Sequence, residues 1–294
     1  MTIGWVLQKI RNRISMVTVL GSPTRYFVKL WAYASRPREY LRRVDEASKL
    51  PKEVNESEVV RQLKLDGFSL VVDFEYGDEL YKSIEEKMKK VNGEGLMGEP
   101  LAARDYFRVV AAPAERTTDD ILTRFALQPK ILNTITAYLG SVPVLEYIEV
   151  IASHDPQKGS WVESQLWHRD RVDSRNPKLF VYMTDVLQPE DGPFTYIPAR
   201  ESRKVRNKIV ARRISDEDME RQGLSSKAKA VYGQHLTAFI SDVGRCYHLG
   251  SRCKNVRVAY MASFVTHASF TQFKTPMKIT RDLSPIEQLV IRSR

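Results

Sequence analysis

The sequence predicts an α+β protein whose core is mainly β structure, in the form of a sandwich or barrel supported by helices. Two observations lead to this fold class. Helical patterns fill the chain up to Gly140, whereas short strand-like runs with turn residues between them follow from Val142 onward. Helices followed by many short strands are typical of such β folds and not of a doubly wound parallel sheet.

The helical part divides into an extension and the beginning of the main domain. Residues 1–60 are polar and basic with prolines between their segments, so we expect a basic helical N-terminal extension there and a main domain over residues 61–294. The segment Leu63–Phe74 predicts a turn that leads into a buried strand.

Three helices are expected after that strand. Asp78 can cap the first, which is amphipathic, and Thr117 or Thr118 can begin the second. Pro129 can begin the third, and Gly140 marks its end.

The second half of the chain contains the strand patterns. Turn residues, such as the sequence EDGP, separate several of them. The predicted strands are Val144 to Ala152, Val162 to Asp170, Leu179 to Val186, Pro193 to Ile197, Leu236 to Ile240 and Val256 to Thr266.

Composition excludes several classes of protein. The chain has 294 residues, and its 43% hydrophobic content is that of a globular protein and not of a disordered one. No uncharged apolar run approaches the roughly 20 residues of a membrane-spanning helix. Basic residues interrupt the apolar start, which is unlike a signal peptide, and two cysteines cannot form a disulfide framework. We therefore expect a cytoplasmic location.

The formal charge of +10 is unevenly distributed. Residues 1–50 contain ten Lys or Arg and three Asp or Glu, a net +7, and residues 200–230 contain ten and five, a net +5. Solvated helix faces are one interpretation of both basic blocks. The alternatives are that residues 1–50 contact an anionic membrane surface, or that the protein binds an anionic substrate. No binding motif accompanies the basic residues, so a specific nucleic-acid partner is not expected.

One short motif indicates a site. The segment SQLWHRDRVD places His168 and Asp170 two residues apart in a predicted strand, so both side chains point to the same face. An unpaired carboxylate on a buried face is costly, so the pair either binds something or lies on a solvent-facing edge. Trp167 should point to the opposite face, into a core.

A third ligand is expected from a distant strand. Two imidazoles and a carboxylate on one side of a metal leave positions open for small ligands, which suits non-haem Fe(II) with a cosubstrate and O₂. His248 is the best candidate, because a turn-rich segment and an alternating strand surround it. Arg257, predicted to lie inside that strand, could bind the far carboxylate of a dicarboxylate held at the metal.

Two segments resemble one known family. Ser164–Pro198, which includes the sequence QPEDGPFTYIP, and Cys246–Phe264 are similar to the phytanoyl-CoA dioxygenase family of Fe(II)- and 2-oxoglutarate-dependent oxygenases. The resemblance covers roughly residues 65–270. It implies a double-stranded β-helix, a cupin-like jelly roll with flanking helices.

The resemblance also implies residue roles. His168, Asp170 and His248 fall on the family's iron triad, and Arg257 falls on the arginine that binds the far carboxylate of 2-oxoglutarate. The spacing from His248 to Arg257 is shorter than in well-known members, which leaves Arg252 as a competing candidate. Further predicted lining residues are Thr195, Tyr182 and Lys178 for the cosubstrate, and Gln165, Phe180 and Arg252 for the substrate.

The function implied is hydroxylation of a small-molecule or lipid-like substrate, with release of succinate and CO₂. The basic block at residues 200–230 favours an anionic substrate. The family's usual Gly-Ser-His after the sequence YIP is replaced by Ala199–Glu201, which predicts a different substrate. Two alternatives remain open at this point: a Zn²⁺ hydrolase that uses the same triad, and a non-catalytic protein that binds lipids or anions. Cys246 and Cys253 are interpreted as incidental thiols.

Overall fold

A computed structural model gives the fold of the chain. It describes residues 30, 33–34, 36–92, 99–101, 104–112, 117–154, 161–170, 172–206, 213–269 and 277–291.

Helices flank the sheets, and several have ends that the sequence specifies. Ser57 caps the helix Glu58–Asp66 (α3) by accepting a hydrogen bond from the backbone N–H of Val60, and Gly67 ends this helix with φ +73°. Pro129 begins the helix Pro129–Leu139 (α6), and Gly140 ends it with φ +70°, as predicted. The helices are α1 (Pro37–Ser48), α2 (Lys52–Asn55), α3 (Glu58–Asp66), α4 (Gly77–Asn92), α5 (Ile121–Leu127), α6 (Pro129–Leu139), α7 (Ala199–Ser202), α8 (Asp216–Arg221) and α9 (Pro285–Ile291).

The strands form two antiparallel sheets. The strands are β1 (Phe68–Val71), β2 (Glu99–Leu101), β3 (Arg104–Ala111), β4 (Val144–Ser153), β5 (Pro177–Tyr182), β6 (Thr195–Ile197), β7 (Lys229–Ala230), β8 (Ala238–Asp242), β9 (Tyr247–Leu249) and β10 (Arg257–Val265). The large sheet has the order β1-β8-β5-β10-β4-β3-β2, and the small sheet has the order β7-β6-β9.

Two isolated bridges extend the small sheet beyond β9. His168 pairs with His248 of β9, and Trp167 pairs with Ile214. From β4 onward the chain therefore passes to the small sheet and back several times. This interleaving is consistent with the predicted double-stranded β-helix.

Alternation along the strands divides the core into layers. On β5, Leu179 and Val181 pack with the helices on the outer face of the large sheet, whereas Phe180 and Tyr182 point to the space between the sheets. Phe194, which precedes β6, packs against Phe180 with ring centroids 4.9 Å apart. The two sheets thus pack face to face through aromatic side chains.

The structure corrects several sequence-based boundaries. The predicted strand Val162–Asp170 is a short 3₁₀ turn followed by the bridge at Trp167 and His168, because the chain is anchored there by single pairs and not by a continuous ladder. Asp120, and not Thr117 or Thr118, caps α5. Asp78 lies in the first turn of α4 and is not its cap. The other predicted strands form with shifted ends.

The predicted extension is described only in part. Residues 1–29 lie outside the described residues, so the boundary at residue 60 stays a prediction. Within residues 37–60, the guanidinium of Arg43 is fully buried and donates to the carbonyl oxygens of Val142 (3.0 Å), Pro143 (2.8 Å) and Leu289 (2.9 Å). Helix α1 is therefore joined to the main body by a buried polar contact.

Among the helices that the structure describes, each is too short or too polar to cross a bilayer.

Candidate metal centre

Two histidines meet across the bridge that extends the small sheet. The backbone N–H of His168 donates to the carbonyl of His248 at 2.9 Å, and the reverse bond is 2.8 Å long. Directly opposed residues of an antiparallel pair point to the same face, and the ring centroids lie 4.2 Å apart. Both rings face the space between the sheets. The neighbouring Trp167 packs on the outer face, as predicted.

Asp170 completes a set of three candidate ligands. Its backbone N–H donates to the carbonyl of Val243 at 2.9 Å, and its Oδ1 lies 3.6 Å from Nε2 of His168. One ligand atom from each of His168, Asp170 and His248 lies within 4.8 Å of the others. The structure therefore brings together the three residues that the sequence predicted as a triad.

The surroundings of the two imidazoles prepare them as ligands. Nδ1 of His168 lies 2.8 Å from the carbonyl of Leu166, and Nδ1 of His248 lies 3.1 Å from the carbonyl of Cys246. A carbonyl only accepts hydrogen bonds, so each Nδ1 carries the proton and each Nε2 keeps its lone pair. Burial lowers the pKa of His248 to about 4 and holds the pKa of His168 well below its ordinary value. Two neutral imidazoles and a carboxylate fit a divalent first-row metal.

A lysine contacts the carboxylate of this set. Nζ of Lys178 lies 2.9 Å from Oδ2 of Asp170 and 5.3 Å from the ring centroid of Tyr147. Burial disfavours both charges, but their attraction outweighs it, so the pKa of Asp170 is lowered and the pKa of Lys178 is raised. Burial also raises the pKa of Tyr147 to about 12, which keeps its phenol neutral.

Arg257 is a buried guanidinium bound only to neutral groups. The sequence predicted that Arg257 lies inside its strand. In the structure it is the first residue of β10. It donates to the carbonyl of Gly192, to Oγ of Ser251 at 3.0 Å and to Oγ of Ser153 at 3.4 Å. Nε of Arg257 has no hydrogen-bond partner within the described ranges, and no described carboxylate is within ion-pair distance. The guanidinium also lies beside Gly250, 3.8 Å from where a Cβ would be.

Gly192 makes one of these contacts possible. Its φ is +66°, a left-handed conformation that favours glycine, and a Cβ would lie 2.8 Å from Cβ of Cys253. The close approach of this turn presents the Gly192 carbonyl to Arg257.

The competing arginine is already paired. Arg252 makes a bidentate ion pair with Asp216, at 2.7 and 3.0 Å, and donates to the carbonyl of Gln165 at 2.6 Å. The Gln165 side chain is fully buried and donates to the carbonyl of Ser251 at 2.9 Å, so it fixes the loop. Placement of Gln165 and Arg252 in a substrate pocket stays a prediction.

The remaining predicted lining residues lie on different faces. Phe180 and Tyr182 face the space between the sheets, but the Tyr182 hydroxyl donates to the carbonyl of Val231 at 2.9 Å. Thr195 pairs with Leu249, whose side chain belongs to the outer apolar cluster, so Thr195 points away from His248. Its predicted contact with a cosubstrate is not supported by this placement.

Arg213 is a neighbour of the site that the motif analysis did not identify individually. Ile214 pairs with Trp167 through two backbone bonds of 2.9 and 3.1 Å, so Arg213 is opposite His168 and on its face. Its guanidinium pairs with Glu163 at 3.0 Å. The only sequence signal was its place in a basic block.

Both cysteines are buried in the structure. Cys246 and Cys253 are 0% and 1% exposed, and neither belongs to the candidate ligand set. Of the histidines without a sequence-based role, His235 pairs with Asp185 at 3.0 Å.

Comparison with known proteins supports the fold. No family model matches the chain, and no curated protein matches it. Among solved structures, the non-heme alpha ketoglutarate dependent epimerase SnoN from nogalamycin biosynthesis is 18% identical, with a TM-score of 0.51 over 71% of this chain and 82% of SnoN. EctD from S. alaskensis with bound Fe is 12% identical, with a TM-score of 0.52 over 83% of this chain and 88% of EctD.

The chain shares the fold of SnoN and EctD. A second SnoN structure, in complex with Fe3+, alpha ketoglutarate and nogalamycin RO, is 17% identical with a TM-score of 0.51 over 73% of this chain and 85% of that one. At these identities the comparison establishes the fold alone. Membership of the phytanoyl-CoA dioxygenase family stays a prediction.

Proposed function

We propose that the protein is an Fe(II)- and 2-oxoglutarate-dependent oxygenase that hydroxylates a small-molecule or lipid-like, anionic substrate. The observation that carries the proposal is the gathering of His168, Asp170 and His248 between the two sheets, with their ligand atoms within 4.8 Å. The structures that share the fold include SnoN, whose complex contains Fe3+ and alpha ketoglutarate. This agreement between site and fold supports the two cofactors.

The residues of the site would hold the metal and the cosubstrate. His168 and His248 would bind the metal through Nε2, and Asp170 through a carboxylate oxygen. When bound, a ferrous ion with 2-oxoglutarate and O₂ supplies oxidising power for C–H hydroxylation, with succinate and CO₂ as products. Arg257 would bind the distal carboxylate, because its buried guanidinium has only neutral partners among the described residues.

Aromatic side chains would exclude water from the reaction. Phe194 stacks against His248 with ring centroids 5.5 Å apart, and it also contacts Phe239 at 5.3 Å. These rings form an apolar wall beside the candidate ligands. A dry and shaped cavity protects reactive chemistry and orients the substrate C–H bond.

Arg213 supports an anionic substrate. It lies on the same face as His168, and its present partner Glu163 is 54% exposed at the side chain. An exposed ion pair contributes little to stability, so a substrate anion could replace Glu163 at small cost. A succinate-release screen across candidate anionic substrates identifies the one that the protein hydroxylates.

Spectroscopy and product analysis test the proposal together. Under anaerobic conditions, Fe(II) plus 2-oxoglutarate should give a weak charge-transfer band in the visible range that the Asp170→Ala variant lacks. With O₂, succinate release should rise with the correct substrate and stay at the blank level for Asp170→Ala. Absence of the band, together with Zn²⁺-dependent ester hydrolysis, would favour the hydrolase. Absence of all metal binding would favour a non-catalytic role.

A further inference from the structure

One turn of the chain contacts two of the three candidate ligands. It joins β8 to β9 and runs from Asp242 to Cys246. The carbonyl of Val243 accepts a hydrogen bond from the backbone N–H of Asp170 at 2.9 Å. The carbonyl of Cys246 lies 3.1 Å from Nδ1 of His248 and accepts its proton. A shift of this turn would therefore move the acceptors of both ligands.

The side chain of Asp242 lies at the centre of the turn and is fully buried. Its Oδ1 accepts the backbone N–H groups of Gly244 at 3.1 Å and of Arg245 at 3.2 Å. The same oxygen accepts the backbone N–H of Asn176, just before β5, at 3.0 Å. A charged acceptor forms stronger hydrogen bonds than a neutral one, so this one oxygen fixes the turn and joins it to β5.

The other oxygen of Asp242 completes a buried network. Oδ2 accepts a hydrogen bond from the hydroxyl of Tyr138, and that hydroxyl accepts one from the guanidinium of Arg245 at 2.9 Å. Arginine only donates, so the phenol proton is directed to Asp242. Burial raises the pKa of Asp242, and its hydrogen-bond donors and the charge of Arg245 oppose that rise. Donors on both oxygens thus compensate for the burial of the carboxylate.

The turn also packs closely on the segment that follows Asp170. A Cβ on Gly244 would lie 3.0 Å from the carbonyl oxygen of Asp173 and 3.2 Å from the backbone nitrogen of Asn176. The backbone N–H of Val243 donates to the carbonyl of Asn176 at 3.1 Å. The missing side chain of Gly244 therefore lets two backbone segments approach each other beside the metal centre.

We propose that Asp242 is a positioning residue for the metal centre. Its carboxylate fixes the turn, and the turn fixes Asp170 and His248 through two backbone carbonyl groups. Asp242 therefore acts on the ligands through the backbone of the turn. The inference rests on the proposed function, since it takes Asp170 and His248 as metal ligands.

Metal titrations measure the effect of this side chain. Mn²⁺ serves as a redox-stable probe, and calorimetry measures its affinity with 2-oxoglutarate present. In Asp242→Ala, three backbone N–H groups lose their acceptor, so the affinity should fall by about tenfold or more, as for other partners of metal ligands. In Asp242→Asn, the amide oxygen can still accept from these groups, so the affinity should stay within about threefold of that of the unaltered chain.

Tyr138→Phe separates positioning from stability. It removes the hydroxyl between Oδ2 of Asp242 and Arg245 but leaves the three backbone contacts of Oδ1 in place. Urea denaturation should show a lower free energy of unfolding, because Arg245 loses an acceptor. The Mn²⁺ affinity should nevertheless stay within about threefold of that of the unaltered chain, because the turn keeps its acceptor.

Gly244→Ala is a second way to displace the turn if Asp242→Ala does not fold. The added methyl group would push the turn away from Asp173 while Asp242 is kept. The Mn²⁺ affinity should then fall by about threefold or more. Circular dichroism identifies the folded variants.

The outcomes distinguish the inference from the proposed function. An unchanged Mn²⁺ affinity in folded Asp242→Ala, or in Gly244→Ala if the former does not fold, would overturn the role of Asp242 alone. An equal loss in Tyr138→Phe would overturn it too, since metal binding would then follow overall stability. If Asp242→Asn binds as weakly as Asp242→Ala, the charge and not the hydrogen bonding of the turn affects the metal, and the inference is wrong. If the unaltered chain binds no Mn²⁺ at all, the proposed function itself is wrong.

Discussion

His168 lies directly opposite His248, and two backbone hydrogen bonds of 2.9 and 2.8 Å join them. The residues are far apart in sequence, and this single bridge brings their rings together. Because strand pairs present opposed side chains on one face, the bridge fixes both the position and the direction of two candidate ligands. Asp170 then needs only to follow His168 by two residues to join them.

The first prediction concerns the three ligands. Replacing His248 or Asp170 by Ala should lower Mn²⁺ affinity by more than about a hundredfold, because even outer-sphere partners of a metal ligand change affinity by roughly 10–100-fold. Calorimetry with 2-oxoglutarate present measures the effect. Trp167→Phe is a matched control, since its ring packs on the outer face of the same bridge. Normal Mn²⁺ binding by His248→Ala would remove His248 from the centre.

The second prediction separates the two candidate arginines. Arg257→Gln should lower the affinity for 2-oxoglutarate by about a hundredfold, since loss of a buried charged partner costs on the order of 2–5 kcal/mol. Arg252→Gln should leave that affinity within about threefold, because Arg252 is bound to Asp216. Titration of the Fe(II) protein with 2-oxoglutarate, followed by the visible band, compares them. The reverse ranking would assign the cosubstrate to Arg252.

The third prediction concerns the attachment of helix α1. Arg43→Met should lower the free energy of unfolding by about 3 kcal/mol, because it leaves three buried carbonyl groups without their donor. Urea denaturation measures this change. Arg42→Met is the control, since Arg42 is exposed, and it should change the stability by less than about 0.5 kcal/mol. Similar effects of the two substitutions would show that the buried hydrogen bonds of Arg43 add no stability.

The fourth prediction concerns the basic N-terminus. If residues 1–29 contact an anionic membrane, the full chain should sediment with phosphatidylserine vesicles more than a chain without those residues. The truncation should stop before α1, because Arg43 is part of the folded body. Phosphatidylcholine vesicles are the control for charge. Equal sedimentation of both chains would exclude a membrane role for this segment.

The predicted site depended on patterns that act over short distances. The period of two along an extended chain placed His168 and Asp170 on one face, even though the regular strand expected there is only a bridge. The same alternation predicted that Trp167 is buried on the other face. Phe180 and Tyr182, which were named only as candidate lining residues, face the space between the sheets. Local caps were less reliable, because Asp120 competes with the nearby threonines for the start of α5.

The faces of the strands could not be predicted from the sequence, because they depend on the pairing between strands. Thr195 was expected at the cosubstrate, but its pairing with Leu249 turns it toward the outer apolar cluster. Alternation relates the residues of one strand to each other, and only the pairing between strands decides which face points inward. Sequence spacing likewise left two arginines as candidates for the cosubstrate.

The sequence by itself determined the order of helices and strands, the His-x-Asp pair and the choice of His248, since these depend on residue type and on the period of the backbone. Only the tertiary structure decided that Lys178 contacts Asp170, that Arg252 is bound to Asp216 and that Arg43 anchors α1. These contacts join groups from different elements. The energy of a buried charge depends on which partner the fold brings within about 4 Å of it, and spacing along the chain does not contain that information.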